Sequence, residues 1–304
     1  MRRLPTSAAD ACSRLVRVFV SIMALVGSRA AAADLRPQTI QAWTEYVQAV
    51  TQRNQEHLAA GRPFLSSDGI QGQAARLRRG DIVVSPAGPH VPLKVSGGLI
   101  HHWFGAAFVA GVTLDDVIPV LRRYERYKDF YHPTVIDSKL IAAAEPGDQF
   151  SLLLINRSTL AKTALDTDYQ SSYNRVDRLR AYSITEATRI QEIADYGTPS
   201  QHTSPQNEGT GLIWRLFSIA RFEERDGGVY IELEAIALSR DIPSSLRWLV
   251  EPIVRRISRS SLATSLRQTQ DAVRSDTSGL SRSSAPLVCP EDKKCASSPV
   301  RSLQ

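Results

Sequence analysis

The feature that most constrains the fold of this 304-residue chain is a β-hairpin followed by a long helix near the C-terminus. The strand pattern of residues 211–241 is interrupted at Asp226–Gly227, a dipeptide that suits the positive φ angles of a two-residue hairpin turn. A turn there sets Glu232 opposite Arg221, an oppositely charged cross-strand pair that supports the register. Because side chains alternate along a strand, this register assigns every hairpin residue to one of two faces.

One hairpin face carries small and apolar side chains, as the wall of a cavity would. It comprises Trp214, Leu216, Ser218, Ala220, Phe222, Ile231, Leu233, Ala235, Ala237 and Ser239. A packed core would place bulky aliphatic residues at the centre of this face. The four Ala and Ser side chains there therefore predict either a cavity or a close approach of the terminal helix. The opposite face carries Arg215, Glu232 and Glu234, which become candidate head-group binders if that face lines the cavity instead.

The basic character of the chain is concentrated in its first 33 residues. The formal net charge is +6, and five arginines with one aspartate place +4 of it in that segment. The remainder is too weakly basic to indicate a nucleic-acid-binding surface. A basic start, a short apolar run at 18–26 and an alanine series at 30–33 are typical of a secretory signal peptide. The protein is therefore expected to be exported to the periplasm or the extracellular space, with a retained membrane anchor as the alternative.

The remaining pattern predicts an α+β fold in which a curved antiparallel sheet wraps around a long C-terminal helix, with an extra N-terminal helix. A helix is predicted at 37–60 and a long strand at 98–111. A capping-box pattern at Thr113 and Asp116 opens a second helix, which Pro119 should distort. The strands predicted before the hairpin span residues 135–143, 150–156, 162–173 and 179–194.

The terminal helix is predicted from an apolar repeat that begins after Pro243. The repeat shifts phase by one residue near 258–261, and Pro252 lies just upstream, so a kink or a restarted helix is expected. Beyond residue 275 the chain is rich in serine, proline and charge, and a disordered tail is expected there.

These elements resemble the START-like superfamily, whose domains have the helix-grip fold. The resemblance is carried by TLDDVIPVLRRYERYKDFYHP, by the hairpin and by WLVEPIVRRISRSSLATSLRQTQDAV, and it covers roughly residues 98–274. It implies a deep apolar pocket between sheet and terminal helix that holds a lipid, isoprenoid or polyketide-like molecule. The chain then divides into a signal peptide (1–33), a helical extension with linker (34–96), a START-like domain (97–275) and a tail (276–304).

Three further side chains are candidates for the ligand site. His101 and His102 are adjacent on a strand, so they point to opposite faces and cannot share one metal ion. His102 is the candidate for the interior, and a histidine satisfied by structural hydrogen bonds is the alternative. Tyr127 and Tyr131 recur with Tyr124 at helical spacing, which predicts either a core stripe or the mouth of a pocket.

The sequence carries no signature of catalysis or metal binding. It contains no HExxH, Walker or GxSxG pattern, and no cysteine lies between residues 34 and 275. No cofactor, metal ion or nucleic acid is expected as a partner. The leading hypothesis is an exported carrier of a hydrophobic small molecule. The arginines of the terminal helix either form the solvated side of an amphipathic helix, which is the preferred interpretation, or make transient contact with an anionic membrane. The alternatives are a cyclase- or hydratase-type enzyme, in which Glu232 or His102 would point inward, and a protein-interaction module with a solid core.

Overall fold

The computed structural model describes residues 35–59, 61–144, 147–157 and 162–283. The predicted signal peptide lies outside these residues, as does the predicted tail beyond residue 283. In the described part of the chain, no helix combines the length and the hydropathy that a membrane span requires. What the structure describes is one antiparallel sheet with helices packed on both of its faces.

The N-terminal region contributes strands as well as helices to the fold. Its elements are α1 (Pro37–Leu58), a 3-10 turn (Ser66–Gly69), α2 (Gln73–Arg78), β1 (Val83–Pro86) and β2 (Leu93–Val95). Both β1 and β2 pair with β3 (Gly98–Ala110), the long strand predicted from the sequence. The region predicted to be an extension with a linker therefore forms one edge of the sheet.

The remaining elements follow the predicted order. They are α3 (Leu114–Leu121), a 3-10 turn (Tyr124–Arg126), α4 (Tyr127–Phe130), β4 (Val135–Ala142), β5 (Asp148–Arg157), β6 (Lys162–Arg175), β7 (Arg180–Ala194), β8 (His202–Thr203), β9 (Arg215–Arg225), β10 (Gly228–Arg240) and α5 (Ser244–Ser283). The strand order is β1-β3-β10-β9-β7-β6-β5-β4, with β2 beside β3 and β8 beside β7. The predicted α+β helix-grip architecture, a curved antiparallel sheet around a C-terminal helix, is confirmed.

The segment after β3 is helical in separate pieces rather than in one helix. The predicted capping box is present, since the backbone N–H of Thr113 donates to Asp116 Oδ2 at 2.8 Å. Helix α3 ends at Leu121, two residues after Pro119, whose ring nitrogen has no hydrogen for the helical ladder. Of the tyrosines predicted to form a helical stripe, Tyr124 lies in the 3-10 turn, Tyr127 begins α4 and Tyr131 follows its last residue.

The hairpin has the predicted register. Asp226 and Gly227 form the turn with φ angles of 55° and 75°, and Glu232 lies opposite Arg221. The inner face of the sheet, which carries the Ala and Ser side chains of the hairpin, is directed toward α5. The outer face, which carries Phe217, packs against α1.

The two halves of α5 have different surroundings. The part from Leu262 onward, called the C-terminal half below, packs on the inner face through Leu262 and Leu266, which lie directly over Gly105 of β3. A Cβ atom at Gly105 would lie 2.6 Å from Leu266 Cδ1, so only glycine admits the helix at this distance. In the N-terminal half, by contrast, Trp248 is 76% exposed and Ile257 is 59% exposed. The close contact between helix and sheet is thus confined to the C-terminal half.

The course of α5 differs from the prediction in two respects. The helix continues through Pro252, so the restart expected from the phase slip is not observed. It also extends to Ser283, beyond the domain boundary predicted at residue 275.

The outer face buries an arginine between two glutamates. Arg221 donates from Nη1 to Glu232 Oε1 at 3.2 Å and from Nη2 to Glu234 Oε2 at 3.0 Å. All three side chains are almost fully buried. Helix α1 supplies Asn54, whose Oδ1 accepts from Arg221 Nε at 3.0 Å, and the backbone N–H of Ser67 donates to Glu232 Oε2 at 2.8 Å. The charged side chains of the hairpin are therefore covered by the N-terminal region and form hydrogen bonds with it.

His102 extends this network to a second residue of α1. Its Nε2 lies 2.9 Å from Glu234 Oε1, and its Nδ1 lies 2.8 Å from the hydroxyl of Tyr46. Burial by itself would raise the pKa of Glu234. The hydrogen bond with His102 and the charge of Arg221 together outweigh burial, so the pKa is lowered and the carboxylate stays ionised.

We expect Arg221→Met to lower the free energy of unfolding by about 3–5 kcal/mol, because it leaves two buried carboxylates without their cation. The measurement is urea unfolding followed by circular dichroism. Arg76→Met is the control, since it breaks an exposed ion pair with Asp81 of 3.2 Å and should have a much smaller effect. Equal losses in the two variants would contradict the role assigned to Arg221.

Candidate functional site

A cavity of about 690 Å³ lies between the inner face of the sheet and the helices. Its walls come from β5, β6, β7, β9 and β10 on one side and from α4 and α5 on the other. None of its described lining residues is Asp, Glu, Lys, Arg or His. Its volume falls within the range of about 300–1,000 Å³ that is usual for small-molecule sites. The cavity is therefore large enough for a ligand and is lined by uncharged groups.

A second chamber of about 340 Å³, the inner chamber, adjoins this cavity and shares Ser218 with it. The inner chamber is lined by Ala235 and Ala237 of β10, which pair in the sheet with Trp103 and His101 of β3. Two methyl side chains therefore stand beside two large rings. Bulkier residues on β10 would fill this chamber, so the small side chains are what keep it open.

Stacked aromatic rings form one wall of the cavity. The ring centroids of Tyr124 and Phe150 are 4.3 Å apart, and those of Phe150 and Tyr169 are 5.0 Å apart. The interplanar angles are 12° and 13°, so the three rings are nearly parallel. Tyr127 meets Phe150 edge to face at 5.8 Å. Such a wall offers dispersion contacts to an apolar or ring-containing ligand.

The phenol groups of this site are neutral and largely committed to the protein. The hydroxyl of Tyr127 donates to the carbonyl of Leu121 at 2.6 Å, and that of Tyr131 lies 3.0 Å from Thr269 Oγ1 in α5. Burial raises the pKa of Tyr169 to about 12 and raises the pKa of Tyr127 well above its usual value. These tyrosines therefore serve as uncharged walls.

The structure brings eight of the ten predicted ligand-site residues together. Those that line the cavity are Leu216, Ser218, Ala220, Leu233, Tyr127 and Tyr131. Ala235 and Ala237 line the inner chamber. Trp214 and His102 line neither space and belong to the outer side of the sheet. The close approach of the helix, the alternative explanation of the small residues, occurs instead at Gly105 of β3.

The structure places Trp214 and His102 outside the lining of the cavity and of the inner chamber, which differs from the prediction. Trp214 precedes the first residue of β9, so the alternation of the strand does not extend to it, and its ring packs with Trp43 and Val50 of α1. His101 points to the inner face, and its neighbour His102 therefore points to the outer face. The sequence shows that the two histidines alternate but contains no signal that fixes which one points inward.

Sequence reasoning missed the far wall of the cavity and part of α5. Phe150, Leu152 and Leu154 of β5 all line the cavity, and their alternation in the predicted strand is the signal that would have identified them. Ser261 and Ser265 of α5 also line it. Ser261 falls where the apolar repeat of the terminal helix is interrupted, whereas Ser265 lies within the repeat that resumes at Leu262. In the part of the chain that the structure describes, no group of three or more His, Cys, Asp or Glu residues is arranged to hold a metal ion.

Several solved structures are similar to this chain. A STAR-related lipid transfer protein fragment from Xanthomonas axonopodis has 18% identity and a TM-score of 0.41, with 63% of this chain and 98% of that chain covered. Human STARD10 has 10% identity and a TM-score of 0.41, with 74% and 86% covered. The Zhui aromatase/cyclase from Streptomyces sp. R1128 has 13% identity and a TM-score of 0.34, with 57% and 96% covered.

No protein-family model and no curated protein matches the chain. The topology described above carries the structural conclusion. Ten antiparallel strands curve around a C-terminal helix, and two helical segments follow the first long strand. The chain therefore has the helix-grip fold.

Proposed function

We propose that this protein is an exported carrier of a hydrophobic small molecule, which it holds between the sheet and α5. The observation that supports the proposal is the cavity of about 690 Å³ without a charged lining residue in the described chain. Transfer of apolar surface from water into such a site stabilises a complex by about 25 cal/mol per Å². Export is proposed from the leader at residues 1–33, which combines a basic start with a short apolar run.

The size of the cavity limits the cargo. If each non-hydrogen atom occupies about 30 Å³, as a water molecule does in the liquid, the main cavity holds on the order of 20 such atoms. A single-chain lipid, an isoprenoid or a compact fused-ring molecule has this size. A phospholipid with two long acyl chains is considerably larger. The proposed cargo is therefore a one-chain or ring-containing molecule.

Binding is favoured over acid–base catalysis by the positions of Glu232 and His102. Glu232 and His102 would act in a cyclase- or hydratase-type enzyme if they pointed inward. Both instead take part in the hydrogen-bonded network of the outer face. The cavity itself weighs against a solid interaction module, because a sheet packed against α5 along its whole length would leave no such space.

The mouth of the cavity lies where its lining residues are most exposed to solvent. Ile257 of α5 and Leu212, just before β9, both line the cavity, and they are 59% and 42% exposed. Cargo would enter between these two residues. Movement of the N-terminal half of α5 would widen this opening, since none of its described side chains belongs to the core cluster that contains Leu262 and Leu266.

Transient membrane contact is part of the proposal. Trp248, Arg255 and Arg259 recur at intervals of seven and four residues, which places them on one face of α5, and all three are exposed. An exposed tryptophan flanked by arginines suits the interface of an anionic bilayer. This face would bring the mouth of the cavity close to a membrane that donates or accepts the cargo.

The first experiment is mass spectrometry of the protein purified from its native compartment. A stoichiometric hydrophobic molecule in the solvent extract would support the carrier proposal and identify its class. The intact mass of the same sample would show whether residues 1–33 have been removed. A protein that carries no such molecule and binds none in vitro would contradict the proposal.

Ser218→Phe should abolish loading, because Ser218 borders both the cavity and the inner chamber and a phenyl ring would occupy the space between them. The measurement is the amount of cargo extracted per mole of folded protein, with a loss of at least about tenfold expected. Ala144→Phe introduces the same ring at an exposed position and should load as the wild type does. Unchanged loading of a folded Ser218→Phe protein would show that the cargo is bound elsewhere.

Arg259→Glu should weaken binding to vesicles that contain anionic lipid, since it reverses one charge on the exposed face of α5. We expect a several-fold loss in co-sedimentation at low salt. Arg62→Glu makes the same change in net charge at an exposed position outside α5 and should have little effect. If both variants lose binding to the same extent, net charge rather than this face determines membrane contact.

A further inference from the structure

The buried side chains that line the inner chamber include His101. It is 8% exposed, and its Nε2 lies 2.9 Å from Ser239 Oγ. The hydroxyl of Ser239 donates to the carbonyl of Arg240 at 3.2 Å. A serine hydroxyl has only one hydrogen, so His101 Nε2 is the donor to Ser239, and Nδ1 retains its lone pair.

That lone pair has no partner among the described residues, although His101 lines the inner chamber. Burial lowers the pKa of His101 to about 4, and the nearby charge of Glu251 only partly opposes this effect. At neutral pH the imidazole is therefore uncharged and offers an acceptor. Nδ1 is therefore an acceptor that the donor of a bound ligand could use.

Hydroxyl groups surround the same chamber. Ser218, Ser258 and Ser265 line it, and none of their hydroxyls has a hydrogen-bond partner in the part of the chain that the structure describes. No Asp, Glu, Lys or Arg is among the described residues of the lining. Trp103 also lines the chamber, and its buried Nε1–H donor has no partner among the described residues. The chamber therefore combines a neutral acceptor, an indole donor and several hydroxyls that can donate or accept.

We propose that the inner chamber binds the neutral hydroxyl group of the cargo, which donates to His101 Nδ1 while its oxygen accepts from a neighbouring serine. This inference rests on the proposed carrier function and defines its ligand class, an uncharged lipophilic alcohol. A carboxylate or phosphate group would be buried there without a counter-charge. An aldehyde or ketone has only acceptors and cannot satisfy Nδ1.

Retinol, retinal and retinoic acid test this inference, because they share one polyene skeleton of suitable size and differ only in the polar end. Affinities for the wild-type protein would be measured at neutral pH from the change in protein and retinoid fluorescence. We expect retinol to bind about 3–10-fold more tightly than retinal, as one additional hydrogen bond implies. Retinoic acid, bound as the anion, should be at least about tenfold weaker than retinol.

His101→Phe provides the second readout. It retains a ring of similar volume but removes the acceptor, so the affinity for retinol should fall to that for retinal, and retinal binding should be unchanged. His202→Phe, at an exposed position on β8, is the matched control and should preserve the preference for retinol. A variant that merely disturbed the fold would weaken all three ligands together.

The outcomes separate this inference from the carrier proposal. Equal binding of all three retinoids, or tightest binding of retinoic acid, would overturn the role of His101 and leave the carrier proposal intact. A stoichiometric anionic lipid in the native extract would likewise overturn the role of His101 and leave the carrier proposal intact. Failure of every retinoid to bind, together with an empty protein from the native compartment, would overturn both.

Discussion

The buried ion network around Arg221 is the interaction on which the arrangement of the whole molecule depends. A guanidinium group with two carboxylates can be withdrawn from water only if their hydrogen bonds are satisfied inside the protein. Residues of α1 and of the following 3-10 turn supply the additional partners, as Asn54 does through its side chain and Ser67 through its backbone. The charged face of the hairpin is consequently the covered outer face. The opposite face, with its Ala and Ser side chains, is left for α5 and the cavity.

The glycine at position 105 divides the inner face into a packed part and an open part. At this position Leu262 and Leu266 of α5 approach the backbone of β3 as closely as packing allows. A few residues away, the sheet curves away from the helix, and the space that remains is the cavity. Small residues thus have two distinct roles in one sheet. Glycine permits contact between helix and strand, whereas alanine and serine preserve volume for a ligand.

Most of the fold and most of the site can be predicted from local patterns. The turn at Asp226–Gly227 fixes the hairpin register, and the register separates the two faces, so the Ala and Ser residues of the cavity follow directly. The orientation of His102 does not follow, because it depends on tertiary contacts with Tyr46 and Glu234 that leave no local signal. Trp214 is misplaced for a related reason, since strand alternation holds only from the first paired residue onward. The incorporation of β1 and β2 into the sheet likewise depends on pairing with a distant strand.

The unequal packing of α5 has a thermodynamic consequence. Its C-terminal half belongs to the cooperative core, whereas its N-terminal half contributes little buried surface, as the exposure of Trp248 and Ile257 shows. A helix anchored in this way can open by a local transition whose free energy is well below that of global unfolding. The lifetime of the folded state and the rate of cargo exchange are then controlled by different sets of residues. Evolution or design can adjust one of these two rates without changing the other.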